Sequence, residues 1–139
     1  MTAIYGTAVA IHGHGVLLRG ASGAGKSDLA LRLVDRGALL IGDDWVEGER
    51  IGGEIILTAV PRLQGLIEVR GVGIVRLPYG SAPLVLVVDL GGPVERLPEP
   101  ELTEILGVNR PRIALDARLA SAPIQVELAL HARAQALGR

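Results

Sequence analysis

Residues 20–27 read Gly-Ala-Ser-Gly-Ala-Gly-Lys-Ser, a complete G-x-x-x-x-G-K-[ST] phosphate-loop (Walker A) pattern. Glycines in such a loop let backbone N–H groups converge on phosphate oxygens, and the helix that follows directs the positive end of its dipole at them. The pattern assigns Lys26 to the β and γ phosphates of a nucleotide and Ser27 to Mg²⁺. Gly20, Ala21, Ser22, Gly23, Ala24, Gly25, Lys26, Ser27 and Asp28 are therefore the predicted nucleotide-binding segment. Lys26 is the only lysine in the chain, against 13 arginines. A compact ammonium on a thin stem threads beneath phosphates where a planar guanidinium fits badly.

Such a site also needs a carboxylate, and two apolar strands ending in aspartate could supply it. One is ALLIGDD, ending at Asp43 and Asp44; the other is LVLVVD, ending at Asp89. The pattern alone slightly favours Asp89. Guanine-nucleotide hydrolases fit poorly, because their Asn-Lys-x-Asp motif needs a lysine outside the loop. His12 and His14 flank a glycine turn without metal-ligand partners and read as solvated. Asp44 reads as a turn-stabilising carboxylate, with a metal role as the alternative, and Trp45 as a packing residue rather than a nucleotide stacker. Glu68 and Arg70, two apart on one strand, read in isolation as a surface ion pair worth under ~1 kcal/mol.

These residues need elements to position them. Residues 3–11 (AIYGTAVAI), the turn HGHG at 12–15 and a short strand at Val16, Leu17 and Leu18 predict a hairpin or a pair of neighbouring strands. Asp28 to Arg36 is the helix behind the loop, with Leu29, Leu33 and Val34 on one face, Leu31 beside them and Gly37 as its stop. Ala38 to Ile41 is a buried strand, followed by shorter strands at 45–51 and 54–58. Pro61 to Leu66 is irregular or one helical turn and leads into IEVRGVGIVRL at 67–77. Leu84 to Leu90 is a continuous apolar run, as expected of a strand covered on both faces. Residues 91–101 read as loop, Arg112 to Leu115 as a last strand, and a final helix has Ser121 as N-cap, Pro123 in its first turn and its end near Leu137. That order predicts an α/β fold in a single domain over residues 1–139.

Composition narrows the function classes. At 139 residues, 49% hydrophobic, the chain can bury a core without disulfides or a structural metal. It has no cysteine, which excludes thiol catalysis and thiolate zinc sites. A formal net charge of -1, signs interspersed, and only three aromatic residues argue against a nucleic-acid partner. No basic n-region opens the chain and no apolar run approaches the ~20 residues that span a bilayer, so no membrane partner is expected and a cytoplasmic protein is the default.

The segment GASGAGKSDLALRLVDRGALLIGDDWVE, taken with LIEVRGVGI, resembles the catalytic domain of bacterial HPr(Ser) kinase/phosphorylase. That family shows a G-x-S-G-x-G-K-S loop, a helix ending in R-G, an apolar strand into a D-D-x-V-E turn, and later E-I-R-G-L-G-I. Residues 15–77 match almost without gaps, and weaker similarity runs to the end of the chain. Many unrelated enzymes share the loop alone; the two motifs at this spacing are specific. The resemblance implies a kinase that uses ATP and Mg²⁺ to phosphorylate a serine of HPr, the small carrier protein of the sugar phosphotransferase system. It further implies reverse phosphorolysis by inorganic phosphate, a phosphate-loop fold resembling the nucleotide-binding architecture of phosphoenolpyruvate carboxykinase, and a homo-oligomer.

The resemblance also assigns roles. It places Asp43, instead of Asp89, as the catalytic carboxylate that takes the proton of the attacking hydroxyl and returns it in reverse. Glu68 becomes a second Mg²⁺ ligand beside Ser27, and Arg70 faces the phosphates. Arg96, in VERLPE, corresponds to the catalytic arginine of the family's D-R-L-G motif, where a guanidinium neutralises the transferring phosphoryl group. Arg118, in ALDAR, lies near the P-V-x-x-G-R segment linked to the phosphorylase direction. The chain departs from full-length members in lacking their amino-terminal domain, so it resembles catalytic-domain-only forms. Tyr5 stands where the family often has a functional histidine, and a phenol does not shuttle protons near neutral pH. The loop PYGSAP at 78–83 is shortened, and ALDAR lacks the family's glycine. Kinase chemistry is expected and the phosphorylase direction is left open. Two alternatives stand beside it: a small-molecule phosphate-loop kinase, with little chain left for a substrate lid, and a non-catalytic ATP-sensing regulator that binds an HPr-like partner.

Overall fold

The computed structural model describes residues 1–138. Its amino-terminal run is two strands, β1 (Thr2–Tyr5) and β2 (Thr7–Ile11), divided at Gly6. Gly6 has φ +144°, and a Cβ there would stand 2.7 Å from the Leu18 carbonyl oxygen, so a side chain has neither the backbone angle nor the room. β2 turns through His12-Gly13 into β3 (His14–Arg19), which makes the predicted hairpin. Both turn residues have positive φ, as a two-residue type I′ turn requires.

Helix α1 (Lys26–Asp35) begins two residues before the expected Asp28 because Gly25 is its N-cap. Leu29, Ala30 and Leu33 form its buried stripe, at helical spacing, and each leucine contributes about 2 kcal/mol by leaving water. Strands β4 (Leu39–Gly42), β5 (Trp45–Ile51) and β6 (Glu54–Thr58) follow, with the last two at their predicted bounds, and then a 3-10 turn at Pro61–Leu63. IEVRGVGIVRL folds as a separate two-stranded ribbon, β7 (Leu66–Val69) and β8 (Gly73–Arg76). The long apolar strand is β9 (Ala82–Leu90).

Two expectations need correction. The segment read as loop to residue 101 ends in a strand, β10 (Glu101–Ile105), and the last strand, β11 (Val108–Leu115), has 8 residues and pairs with it as a hairpin. Ser121 sits at the N-cap of α2 (Ala122–Ala136) but makes no capping side-chain bond; its hydroxyl accepts instead from Gln125 Nε2 at 3.3 Å.

Nine strands form one sheet in the order β1-β5-β6-β9-β3-β2-β4, and the β10–β11 hairpin joins it through β9. β9 lies parallel to β3 and β11, while β2 is antiparallel to both β3 and β4. Strands β3, β4, β9 and β11 therefore run the same way and bring their carboxyl ends to one edge. β2 runs against them, so its first residue, Thr7, lies at that edge too. Val9, Val16, Leu18, Leu86 and Val88 pack one sheet face against both helices. The other face is covered by strands alone, including Ala8, Leu17, Val46, Leu57 and Val87. β9 feeds both clusters, which is why LVLVVDL has no polar alternation. Among the described residues no helix is long and apolar enough to cross a membrane.

Candidate functional site

A cleft of about 940 Å³ opens at the edge where β3 and β4 end. Its floor is the glycine-rich loop between β3 and α1. Gly25 has φ +98°, and a Cβ there would lie 2.9 Å from that of Ala117, so glycine is needed to start the helix at this point. Among the described residues no side chain caps α1, which leaves its first N–H groups directed at the cleft. Lys26 arches back over the loop, its Nζ donating to the carbonyls of Gly20 at 2.7 Å and Ala21 at 3.1 Å.

The second wall comes from the end of β4. Ser27 Oγ donates to Asp43 Oδ1 at 2.7 Å, and Thr7 Oγ1 donates to the same oxygen at 3.0 Å. Asp44, with φ +69°, turns the chain sharply, and its carbonyl accepts the Gly6 N–H at 2.9 Å. Its side chain is exposed in the cleft, whereas Trp45 is half-buried and does not line it. Tyr5 stands on the rim, 77% exposed. Facing these, the β7–β8 ribbon anchors Ile67 in the helix-side core and lines the cleft with Glu68 and Arg70, which make no ion pair with each other.

This donor set suits a polyphosphate chain and a hard cation: backbone N–H groups at a helix start, one ammonium, one hydroxyl and carboxylates on both sides. Among the described residues no three His, Asp or Glu side chains could hold a metal by themselves. A cation here would draw on Ser27, Glu68 and the phosphates of a bound nucleotide, the usual Mg²⁺ arrangement.

Asp89 has the opposite surroundings. Arg19 grips it through two bonds, Nε to Oδ1 at 2.7 Å and Nη2 to Oδ2 at 2.9 Å, and Arg112 Nε adds a third at 2.6 Å. Burial opposes ionisation, yet the hydrogen bonds and charges of Arg19 and Arg112 outweigh it and hold the Asp89 carboxyl below the usual carboxylate value. Arg112 extends the chain of charges to Glu101 at 2.7 Å.

Other predicted residues lie outside the cleft. Segment 91–100 leaves the sheet beside the glycine-rich loop, since a Cβ on Gly91 would be 3.3 Å from that of Ala24, but Arg96 within it is exposed and does not line the cleft. Arg118 is spent on Asp116 in its own turn at 3.0 Å, with its side chain 91% exposed. His12 and His14 line a separate cavity with His131 of α2. The shortened loop at 78–83 is pinned to β4: Leu40 N–H donates to Pro78 O at 2.9 Å and Gly80 N–H to Leu40 O at 3.1 Å. The residue that sequence reading missed is Thr7, whose one signal was a polar side chain opening an apolar strand.

Residues 1–84 match the family model described as the HPr serine kinase C-terminal domain. The chain belongs to that family. An HPr kinase/phosphorylase from Geobacillus thermodenitrificans is 35% identical over 132 residues, covering 84% of this chain and 43% of the relative. One from Caldicellulosiruptor bescii is 37% identical over 129 residues, covering 82% and 42%. The chain thus spans less than half the length of these relatives. A solved HPr(Ser) kinase/phosphatase from Coxiella burnetii shares its mixed α/β fold, with TM-score 0.84 over 100% of both chains at 24% identity. The matched segment 1–84 contains Lys26, Ser27, Asp43, Glu68 and Arg70, and excludes Arg96 and Arg118.

Proposed function

We propose that this chain is an ATP- and Mg²⁺-dependent kinase domain that phosphorylates a serine of HPr, on a phosphate-loop fold resembling the nucleotide-binding architecture of phosphoenolpyruvate carboxykinase. It works as a cytoplasmic homo-oligomer over the single domain 1–139. The observation that carries this reading is the 2.7 Å bond from Ser27 Oγ to Asp43 Oδ1, which joins the phosphate-loop hydroxyl to a carboxylate open to the cleft.

In this reading the segment from Gly20 to Asp28 holds the nucleotide through backbone N–H groups. Lys26 exchanges its two carbonyl partners for phosphate oxygens, which costs little because both sets are acceptors. Ser27 and Glu68 hold Mg²⁺, which when bound neutralises phosphate charge. Asp43 accepts the proton of the attacking serine hydroxyl, and Arg70 adds positive charge from the opposite wall. Arg96 would have to approach from segment 91–100 to act on the phosphoryl group, and Arg118 would have to release Asp116 to serve the reverse direction.

Incubation with purified HPr, Mg²⁺ and labelled ATP tests the proposal. Label on an HPr serine that vanishes with Asp43→Asn supports it. Tyr5 on the cleft rim favours a second reading, an ATP sensor; tight ATP binding without transfer would select that one. Phosphorylated HPr mixed with inorganic phosphate tests the reverse reaction through release of pyrophosphate.

A further inference from the structure

We propose that Thr7 is a positioning residue for Asp43: its hydroxyl holds Oδ1 and keeps Oδ2 free for the cleft. The inference rests on the reading of Asp43 as proton acceptor. Along β2, Thr7, Val9 and Ile11 share the face that packs towards α1, so Thr7 points at the first turn of that helix, where Ser27 lies. The Thr7 side chain is completely buried, and a buried hydroxyl needs an acceptor. Asp43 Oδ1 is that acceptor, at 3.0 Å.

The adjoining residue completes the grip. Gly6 N–H holds the Asp44 carbonyl at 2.9 Å, so consecutive residues fasten both members of the Asp43–Asp44 turn, one through backbone and one through side chain. Ser27 also donates to Oδ1, but its hydroxyl is the group assigned to Mg²⁺. When Ser27 turns to the metal, Thr7 is the hydroxyl that remains on Asp43. The β2 strand, otherwise apolar, thereby reaches the reacting edge with one polar atom.

The test compares wild type, Thr7→Val, which keeps the shape and removes the hydroxyl, and Thr7→Ser, which keeps the hydroxyl. With purified HPr, Mg²⁺ and ATP, Thr7→Val is expected to lower kcat about 10- to 100-fold, the worth of one hydrogen bond to a charged group, with KM for ATP unchanged. Thr7→Ser should recover kcat to within about threefold of wild type. The carboxyl ¹³C resonance of Asp43 at neutral pH, which needs no turnover, should move in Thr7→Val and stay in Thr7→Ser. Unchanged kcat in Thr7→Val, equal defects in both variants, or an unmoved resonance would overturn the proposal. Should Thr7→Val not fold, Thr7→Ala takes its place in the same comparison. A moved resonance in a protein that never labels HPr would uphold the positioning role and reject the kinase reading.

Discussion

Asp43 and Asp89 both close an apolar strand, yet the fold treats them in opposite ways. Asp43 receives two neutral hydroxyls, from Ser27 and Thr7, and lines the cleft. Asp89 is clasped by two guanidinium groups, and its carboxylate is consumed in tying β3, β9 and β11 together. Hydroxyl donors orient a carboxylate while leaving its charge to act on a proton or a cation. Arginines neutralise it, so Asp89 braces the sheet. A strand-end aspartate is therefore judged by its donors.

The contrast predicts different failures. Asp43→Asn keeps an oxygen for Thr7 and Ser27 but cannot take a proton, so phosphate transfer to HPr should fall about 10²- to 10⁴-fold with unchanged thermal melting. Lys26→Arg should lower transfer about 10²- to 10³-fold and leave the fold intact; near wild-type labelling of HPr would contradict the phosphate-loop assignment. At the other carboxylate the loss appears in stability. Asp89→Asn takes the carboxylate from Arg19 and leaves Arg112 with Glu101 alone, and should cost about 2 kcal/mol in urea unfolding, with transfer little affected.

The same carboxylate has a pH signature. Its pKa is held below the ordinary 3.8, so its stabilisation is fully present above that value and lost as pH falls through the lower folded one. The stability gap between wild type and Asp89→Asn should be steady well above pH 3.8 and shrink below it. The smallest effect belongs to Arg118→Ala. The Asp116–Arg118 pair is solvent-exposed, so melting should not change measurably, although hydrogen bonding to each other lowers the acid's pKa and raises the base's.

Much of the scaffold was legible because its signals are local. Gly37 ends α1 at φ +109°, and β5 and β6 fall at their expected bounds, 45–51 and 54–58, on either side of the Gly52-Gly53 turn. β10 was not legible: Glu101 and Glu104 are exposed and Thr103 is polar, and pairing with β11 makes the segment a strand. Its turn was hidden as well, because Leu106 adopts φ +49° before Gly107 at φ +80°. A leucine there is no turn signal, and contact with the strand-only core holds it in place. In the site, the loop and both family motifs were readable. The Thr7 contact was not, since it joins residues 36 apart through an antiparallel strand inserted between β3 and β4.

The sequence by itself determined the glycine-rich loop, the helix behind it and the single lysine at that helix's start, because positive-φ glycines and a helix start act over a few residues. The resemblance already set Asp43 before Asp89, but only the tertiary structure shows why one faces the cleft and the other is neutralised. That choice depends on strand order. β4 comes beside the loop through β2, bringing Asp43 to Ser27 and Thr7, while parallel pairing with β3 and β11 sets Asp89 between two arginines. Electrostatic surroundings are made by neighbours in space, and neither strand carries them in its own residues.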